Sequence, residues 1–310
     1  MPNILLTGAN GFIGQALARK ITLLPGLQLM ATSASACRIP GLDPVRFKQA
    51  DITRQDQVES LFRDFKPDVV IHCAAVSQVD ACELDPDRCD RVNIEGTRHL
   101  ARAAEACGAR FVFLSTDFVF DGLNGPYRED DQPNPVNTYG WSKLQGEFIT
   151  QSLRVPWAIV RTILVYGFIP AQTRGNLVTW IVESLRNNRP VNVAGDQYRM
   201  PTLVDSLADG IIRIVEQNKT GIFHLSGPDQ TSVYDFALLA ARTFQLDKSL
   251  ISKVSSDSLN QSGKRPPSTG FVLDKAIDEL GFLPVGLSEG LGVVRNLLDN
   301  YSISRGMEPN

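Results

Sequence analysis

The stretch Ile4-Leu5-Leu6-Thr7-Gly8-Ala9-Asn10-Gly11-Phe12-Ile13-Gly14 leaves this chain little freedom in what it can build. A short apolar run reads as a buried strand, and a helical pattern follows from Phe12 to Leu24. Between them the glycines fall at 8, 11 and 14. Gly8 suits a tight turn out of the strand. Gly11 lets backbone approach a pyrophosphate with no Cβ in the way, and Gly14 lets the helix sit close to the sheet. A helix N-terminus placed there presents free N–H groups and a partial positive charge to phosphates. The order of strand, loop and helix is the one a dinucleotide site needs. Gly8, Asn10, Gly11, Phe12, Ile13 and Gly14 are therefore the first candidate cofactor contacts.

The rest of the first half repeats the alternation of strand and helix. Strands are expected at Gln28 to Thr32, Val69 to His72 and Phe111 to Ser115. Helices are expected at Gln55 to Phe65 and at Pro86 to Cys107, the latter ended by Gly108. Such alternation predicts an α/β fold: a doubly wound parallel sheet of the Rossmann type, covered by helices on both faces. After about Gly167 strands become sparse and Gly and Pro punctuate the chain. One more strand is expected at Ile222 to Leu225. Helices are expected near Val233 to Phe244, Leu273 to Leu280 and Glu289 to Tyr301. The division that follows puts the cofactor-binding domain at 1–166, with 203–226 returning to it. Residues 167–202 and 227–310 would form a smaller C-terminal substrate-binding lobe.

The end of the second strand bears on which dinucleotide is bound. An NAD-specific site usually has an acid there for the ribose hydroxyls. This chain has Ala31-Thr32-Ser33-Ala34-Ser35-Ala36-Cys37-Arg38 instead. Ser33, Ser35 and Arg38 suit a 2′-phosphate that a carboxylate would repel. NADP(H) is the expected cofactor, with NAD(H) left open. Asp51 and Ile52, after the third strand, are expected to meet the adenine.

Chemistry is expected at Asn137-Thr138-Tyr139-Gly140-Trp141-Ser142-Lys143. Tyr139 and Lys143 are four apart, hence on one helical face. A free tyrosine has a pKa of about 10, and a nearby ammonium favours the phenolate and should lower it. Thr116 ends a strand whose carboxyl edge opens on the same crevice, where its hydroxyl can meet a substrate carbonyl.

Taken together, T-G-A-N-G-F-I-G, D-I-T at 51–53, H-C-A-A-V at 72–76, N-I-E-G-T at 93–97, S-T-D-F-V-F-D-G at 115–122 and Y-G-W-S-K at 139–143 resemble the extended short-chain dehydrogenase/reductases. Gly195 to Thr202, Arg265 to Ser268, Leu273 to Ala276 and Leu280-Gly281 resemble the dTDP-4-dehydrorhamnose reductase branch. The resemblance implies NADPH-dependent reduction of a nucleotide-linked 4-keto-6-deoxy sugar. Tyr139 would protonate the C4 oxygen, Lys143 would bind the nicotinamide ribose and tune Tyr139, and Thr116 would orient the carbonyl. Ala74 and Ala75 would pass along the cofactor, Asn93 would support the site, and the segment around Ile163 would run beside the nicotinamide. Val76, Asp80, Gln197 and Arg199 would face the substrate.

Arg199 departs from that branch, where a small residue often stands. Arginine there, with P-Y-R-E-D-D at 126–131, resembles the regulatory β subunit of methionine adenosyltransferase, a non-catalytic relative. A binding subunit is therefore the second hypothesis. An epimerase or dehydratase of the same superfamily is the third. Dehydration is disfavoured because Phe118, not Glu, follows Asp117.

Composition excludes several other classes. The formal charge is -3, which gives no reason to expect nucleic acid as partner. No run of about 20 apolar residues marks a membrane span, and the start of the chain lacks the pattern of a secretion signal. Five cysteines without C-x-x-C spacing fit a reducing cytoplasm better than a disulfide or zinc framework. No metal is expected. Cys73 and Cys107 read as small core residues, Trp141, Trp157 and Trp180 as packing residues, and Glu129 to Asp131 as a solvated loop. A homodimer is left open.

Overall fold

The computed structural model describes residues 2–170 and 175–304. Met1, 171–174 and 305–310, which the expected domain boundaries include, lie outside the described residues. The architecture rests on a seven-stranded parallel sheet. Its first six strands in chain order are β1 (Asn3–Thr7), β2 (Gln28–Ser33), β3 (Phe47–Gln49), β4 (Val69–His72), β5 (Arg110–Thr116) and β6 (Trp157–Thr162). They lie in the order β3-β2-β1-β4-β5-β6, and Gly221–Leu225 completes the far edge beside β6. Leu5 of β1 stands opposite Met30 on one side and Val70 on the other.

Both faces of this sheet are covered, which is why its strands are continuous apolar runs. Successive side chains point to opposite faces. Ile4, Leu6, Val69, Ile71, Val112 and Val160 enter one core, with α1 (Phe12–Leu23) and the helix Val204–Glu216. Leu5, Val70, Phe111, Phe113 and Ile159 enter the other, with α2 (Gln55–Phe65) and the helix Gly96–Cys107. Burying one such side chain fully contributes about 1.5–3 kcal/mol.

The expected helix from Pro86 to Cys107 is interrupted. Pro86–Asp90 and Gly96–Cys107 are α-helical, and Arg91–Glu95 forms one wide π turn between them. Asn93 explains the extra width. Its side chain is buried, accepts from Val76 N at 2.8 Å and donates to Val76 O at 3.0 Å and to Ser142 Oγ at 2.8 Å. Gly108 ends the second helix with φ +75.

Beyond β6 the chain builds short pairs and helices. Val165–Tyr166 pairs with Thr202–Leu203, Tyr198–Arg199 with Thr231–Ser232, and Val191–Ala194 with Ile251–Val254. The helices Leu177–Arg186, Val233–Thr243 and Leu287–Ser304 pack around apolar cores of their own.

Several packing expectations need correction. Trp141 and Trp180 are exposed. Cys107 is exposed and Cys73 only half-buried, whereas Cys82 and Cys89 are the buried thiols. Glu129 is half-buried rather than solvated, and its Oε1 accepts from His224 N at 3.1 Å. For Glu129 the deciding neighbour, His224, lies far along the chain and is invisible to local composition.

Candidate active site

The sheet order reverses between β1 and β4, so the loops leaving those strands part and open a crevice at the carboxyl edge. Its volume is about 1030 Å³, at the upper end of the size common for ligand sites. Its floor is the glycine turn. Gly8 has φ +68, and a Cβ on it would meet Ala74 N at 2.6 Å. A Cβ on Gly14 would meet the Gly8 carbonyl oxygen at 2.3 Å and Ala9 Cα at 2.8 Å, both backbone. Gly11 caps α1 without any side-chain hydrogen bond, which leaves the first-turn N–H groups clear. This cradle fits a dinucleotide phosphate. Gly14→Ala should cost about 1–3 kcal/mol by overpacking and weaken dinucleotide binding with it. Urea unfolding and a binding titration check both effects.

Asn10 fastens one wall. Its side chain donates to Ser35 O at 3.2 Å, Ser35 Oγ at 3.1 Å and Ala36 O at 2.8 Å, and accepts from Arg38 N at 2.9 Å. Its backbone N–H donates to Ser33 Oγ at 3.1 Å. The two serine hydroxyls thus hold the loop in shape, and the exposed Arg38 is among the residues that line the crevice. Asp51, Ile52, Ala74, Ala75 and Val76 line it too.

Thr116, Tyr139 and Lys143 line the same crevice. Thr116 ends β5, donates to Asp117 Oδ1 at 3.0 Å and accepts from Phe118 N at 3.2 Å. The helix Thr138–Gln151 is capped by Asn137, whose Oδ1 accepts from Gly140 N at 2.7 Å. That cap fixes the start of the helix, with Tyr139 in its first turn and Lys143 one turn further on. Lys143 Nζ sits 4.0 Å over the Phe113 ring, a cation–π contact. Burial draws its pKa down to about 8, against the opposing charges of Cys73 and Glu147. Burial also pushes the Tyr139 phenol well up, and Asp117 adds to that; only the Thr116 hydroxyl pulls down. The expectation that the ammonium lowers the phenol is corrected here: desolvation of the neutral-preferring ring outweighs it.

Beneath these groups lie two buried networks. Glu147 takes Arg161 bidentately, Nε at 2.9 Å and Nη2 at 2.7 Å, and accepts from Ser115 Oγ at 2.6 Å. Thr97 donates to Asn93 O at 2.6 Å, so it accepts from His72 Nε2 at 2.9 Å. His72 Nδ1 must then accept from Thr7 Oγ1 at 2.7 Å. Burial pulls the His72 pKa well down, which keeps this tautomer neutral.

On the substrate side, Val76 and Arg199 line the crevice. Asp80, Gln197 and Ile163 are not among its lining residues. Asp80 is bound by Arg265 through two bonds of 2.7 Å, which hold its carboxyl at about 2. Gln197 is buried outside the crevice. Ile163 turns into an apolar cluster with Phe120 and Phe271, while its neighbours Thr162 and Leu164 line the crevice. Arg199 is buried and donates to Tyr198 O at 2.7 Å and Pro266 O at 2.8 Å.

Two features escaped the sequence reading. Asp117 is a buried carboxylate beside Thr116, with its pKa raised by burial, facing Thr269 Oγ1 at 2.5 Å and Arg199 Nε at 4.0 Å. Arg88 and Arg91 also line the crevice. Nothing local in D-P-D-R-C-D-R distinguishes them from a solvated charged turn.

A doubly wound parallel sheet carrying this glycine turn and this threonine, tyrosine and lysine at its carboxyl edge defines an extended short-chain dehydrogenase/reductase. The family model described as the RmlD substrate binding domain matches residues 2–295, and the chain belongs to that family. It is 32% identical over 274 residues to methionine adenosyltransferase 2 subunit beta of Bos taurus, covering 86% of this chain and 79% of that one. It is 30% identical over 307 residues to dTDP-4-dehydrorhamnose reductase of Aggregatibacter actinomycetemcomitans, covering 95% of this chain and 99% of that one. Among solved structures, a dTDP-4-dehydrorhamnose reductase from Clostridium acetobutylicum is similar with TM-score 0.84 and 29% identity, covering 96% of this chain and 99% of that one. Another from Bacillus anthracis, in complex with NADP, gives TM-score 0.79 and 27% identity over 94% of this chain and 98% of that one.

Proposed function

We propose that this chain is an NADP(H)-dependent reductase of a nucleotide-linked 4-keto-6-deoxy sugar. The observation that carries the reading is the meeting of Thr116, Tyr139 and Lys143 with the glycine turn in one crevice. The NADP-bound Bacillus anthracis relative and the reductase relatives support it. Gly8 to Gly14 would hold the pyrophosphate, and Arg38 the 2′-phosphate, where no acid stands at the end of β2. NADPH supplies the hydride when bound. The raised pKa of Tyr139 keeps its phenol protonated at neutral pH, so it holds the proton that the carbonyl oxygen needs. Thr116 orients that oxygen, and the Lys143 ammonium stabilises the charge that develops on it.

The test is NADPH oxidation with nucleotide-linked 4-keto sugars. Lys143 has its pKa lowered to about 8 and is charged below that value. Turnover should therefore hold below pH 8 and fall as pH rises through it. A flat profile to pH 10 would remove Lys143 from the chemistry.

A second reading, a regulatory subunit that binds NADP, is favoured by Arg199. Its buried guanidinium stands beside Asp117, the neighbour of Thr116, and the Bos taurus relative is a subunit by name. No turnover on any keto sugar, with stable capture of a methionine adenosyltransferase catalytic chain, would select it.

A further inference from the structure

We propose that Arg88 and Arg91 close over the pyrophosphate of the bound dinucleotide from the β4 side of the glycine turn. This rests on the dinucleotide reading above and adds residues to it. Both arginines line the crevice that Gly11, Phe12 and Ile13 floor. Arg88 lies in the helix Pro86–Asp90 and Arg91 opens the wide turn Arg91–Glu95. They are three residues apart, hence neighbours on one helical side.

Two observations fix where that side stands. Asn93 ties the wide turn to Val76 through bonds of 2.8 and 3.0 Å. Ala74, just before Val76, lies against Gly8. Residues 88–92 are thereby held beside the loop leaving β4. Arg38 follows β2, the neighbour of β1 on the other side. The glycine turn therefore has one arginine on its β2 flank and two on its β4 flank.

The β4-side arginines are also free to act. Both are exposed, and among the described residues neither guanidinium has a hydrogen-bond or ion-pair partner. Arg199, the fourth arginine of the crevice, is committed to backbone carbonyls. Asp85 is committed to capping Arg88 N at 3.0 Å, and Asp87 and Asp90 do not line the crevice. A pyrophosphate over the start of α1 meets about half a positive charge from the helix. Two exposed guanidinium groups would complete its neutralisation with charge-assisted bonds.

Calorimetric titration of NADP and NAD into the parent, into Arg88→Gln/Arg91→Gln and into Arg38→Gln tests the assignment. Both dinucleotides carry the pyrophosphate, and only NADP carries the 2′-phosphate. The double variant should lose about tenfold or more in affinity for both, with their ratio unchanged. Arg38→Gln should lose NADP alone. Arg88→Lys/Arg91→Lys should recover part of the loss, and the melting temperature without ligand should not move, since both side chains are exposed. Unchanged affinity in the double variant, or a loss confined to NADP, overturns the proposal while leaving the cofactor reading intact. A parent that binds neither dinucleotide removes both.

Discussion

Glu147→Gln should unfold in urea with about 3–5 kcal/mol less stability than the parent, the cost of stranding a buried guanidinium. Glu147 and Arg161 are 0% and 2% exposed, so water cannot compensate for the lost partner. Arg161 Nη1 has Glu129 O at 3.3 Å and His224 Nε2 at 3.4 Å, neither of them a charge to replace the carboxylate. His224 is neutral because burial holds its pKa well down. Its Nδ1 faces the Tyr127 carbonyl at 3.1 Å and so carries the proton, leaving Nε2 as acceptor. Removing both charges together, as Glu147→Met/Arg161→Met, should recover most of the loss, because apolar replacement of a whole buried pair is often neutral. The reading is the urea midpoint at constant slope. A single variant within about 1 kcal/mol of the parent would show that the pair supports nothing.

Tyr139→Phe should lower kcat about 10²- to 10⁴-fold while leaving the dissociation constant for NADP within a factor of two of the parent. The substitution keeps the ring and its edge contact with Phe118, whose centroid is 6.1 Å away. It removes the hydroxyl that carries the proton. NADPH oxidation and calorimetry measure the two quantities on one preparation. Equal turnover in the two proteins would refute Tyr139 as proton donor. Loss of cofactor binding along with turnover would instead assign it a positioning role.

The strand-and-helix alternation made the sheet readable from sequence, because a strand buried on both faces must be apolar throughout. Gly8 and Gly14 are readable because backbone lies too close for a Cβ at either position. Thr116, Tyr139 and Lys143 could be placed together because strand ends and helical spacing are local quantities. What could not be read depends on partners far along the chain. Asp80 looks like a free carboxylate until Arg265 is brought to it. Asp117 meets Thr269, which lies far along the chain. Glu147 and Arg161 look like ordinary surface charges, since nothing in their neighbours reveals that a helix buries one against the strand of the other. The direction of the Tyr139 shift is illegible in the sequence for the same reason. Spacing reveals a neighbouring charge, but only the folded chain reveals how little water reaches the ring.

The last strand of the sheet, Gly221–Leu225, is delivered only after the chain has left β6 and built the helices Leu177–Arg186 and Val204–Glu216. The sheet is thus stitched rather than strung. A fragment stopped after Tyr166 would bare the whole outer edge of β6, an open template for strand pairing between molecules. Evolution or engineering that exchanges the segment between β6 and Gly221 has to match two junctions with the sheet, not one.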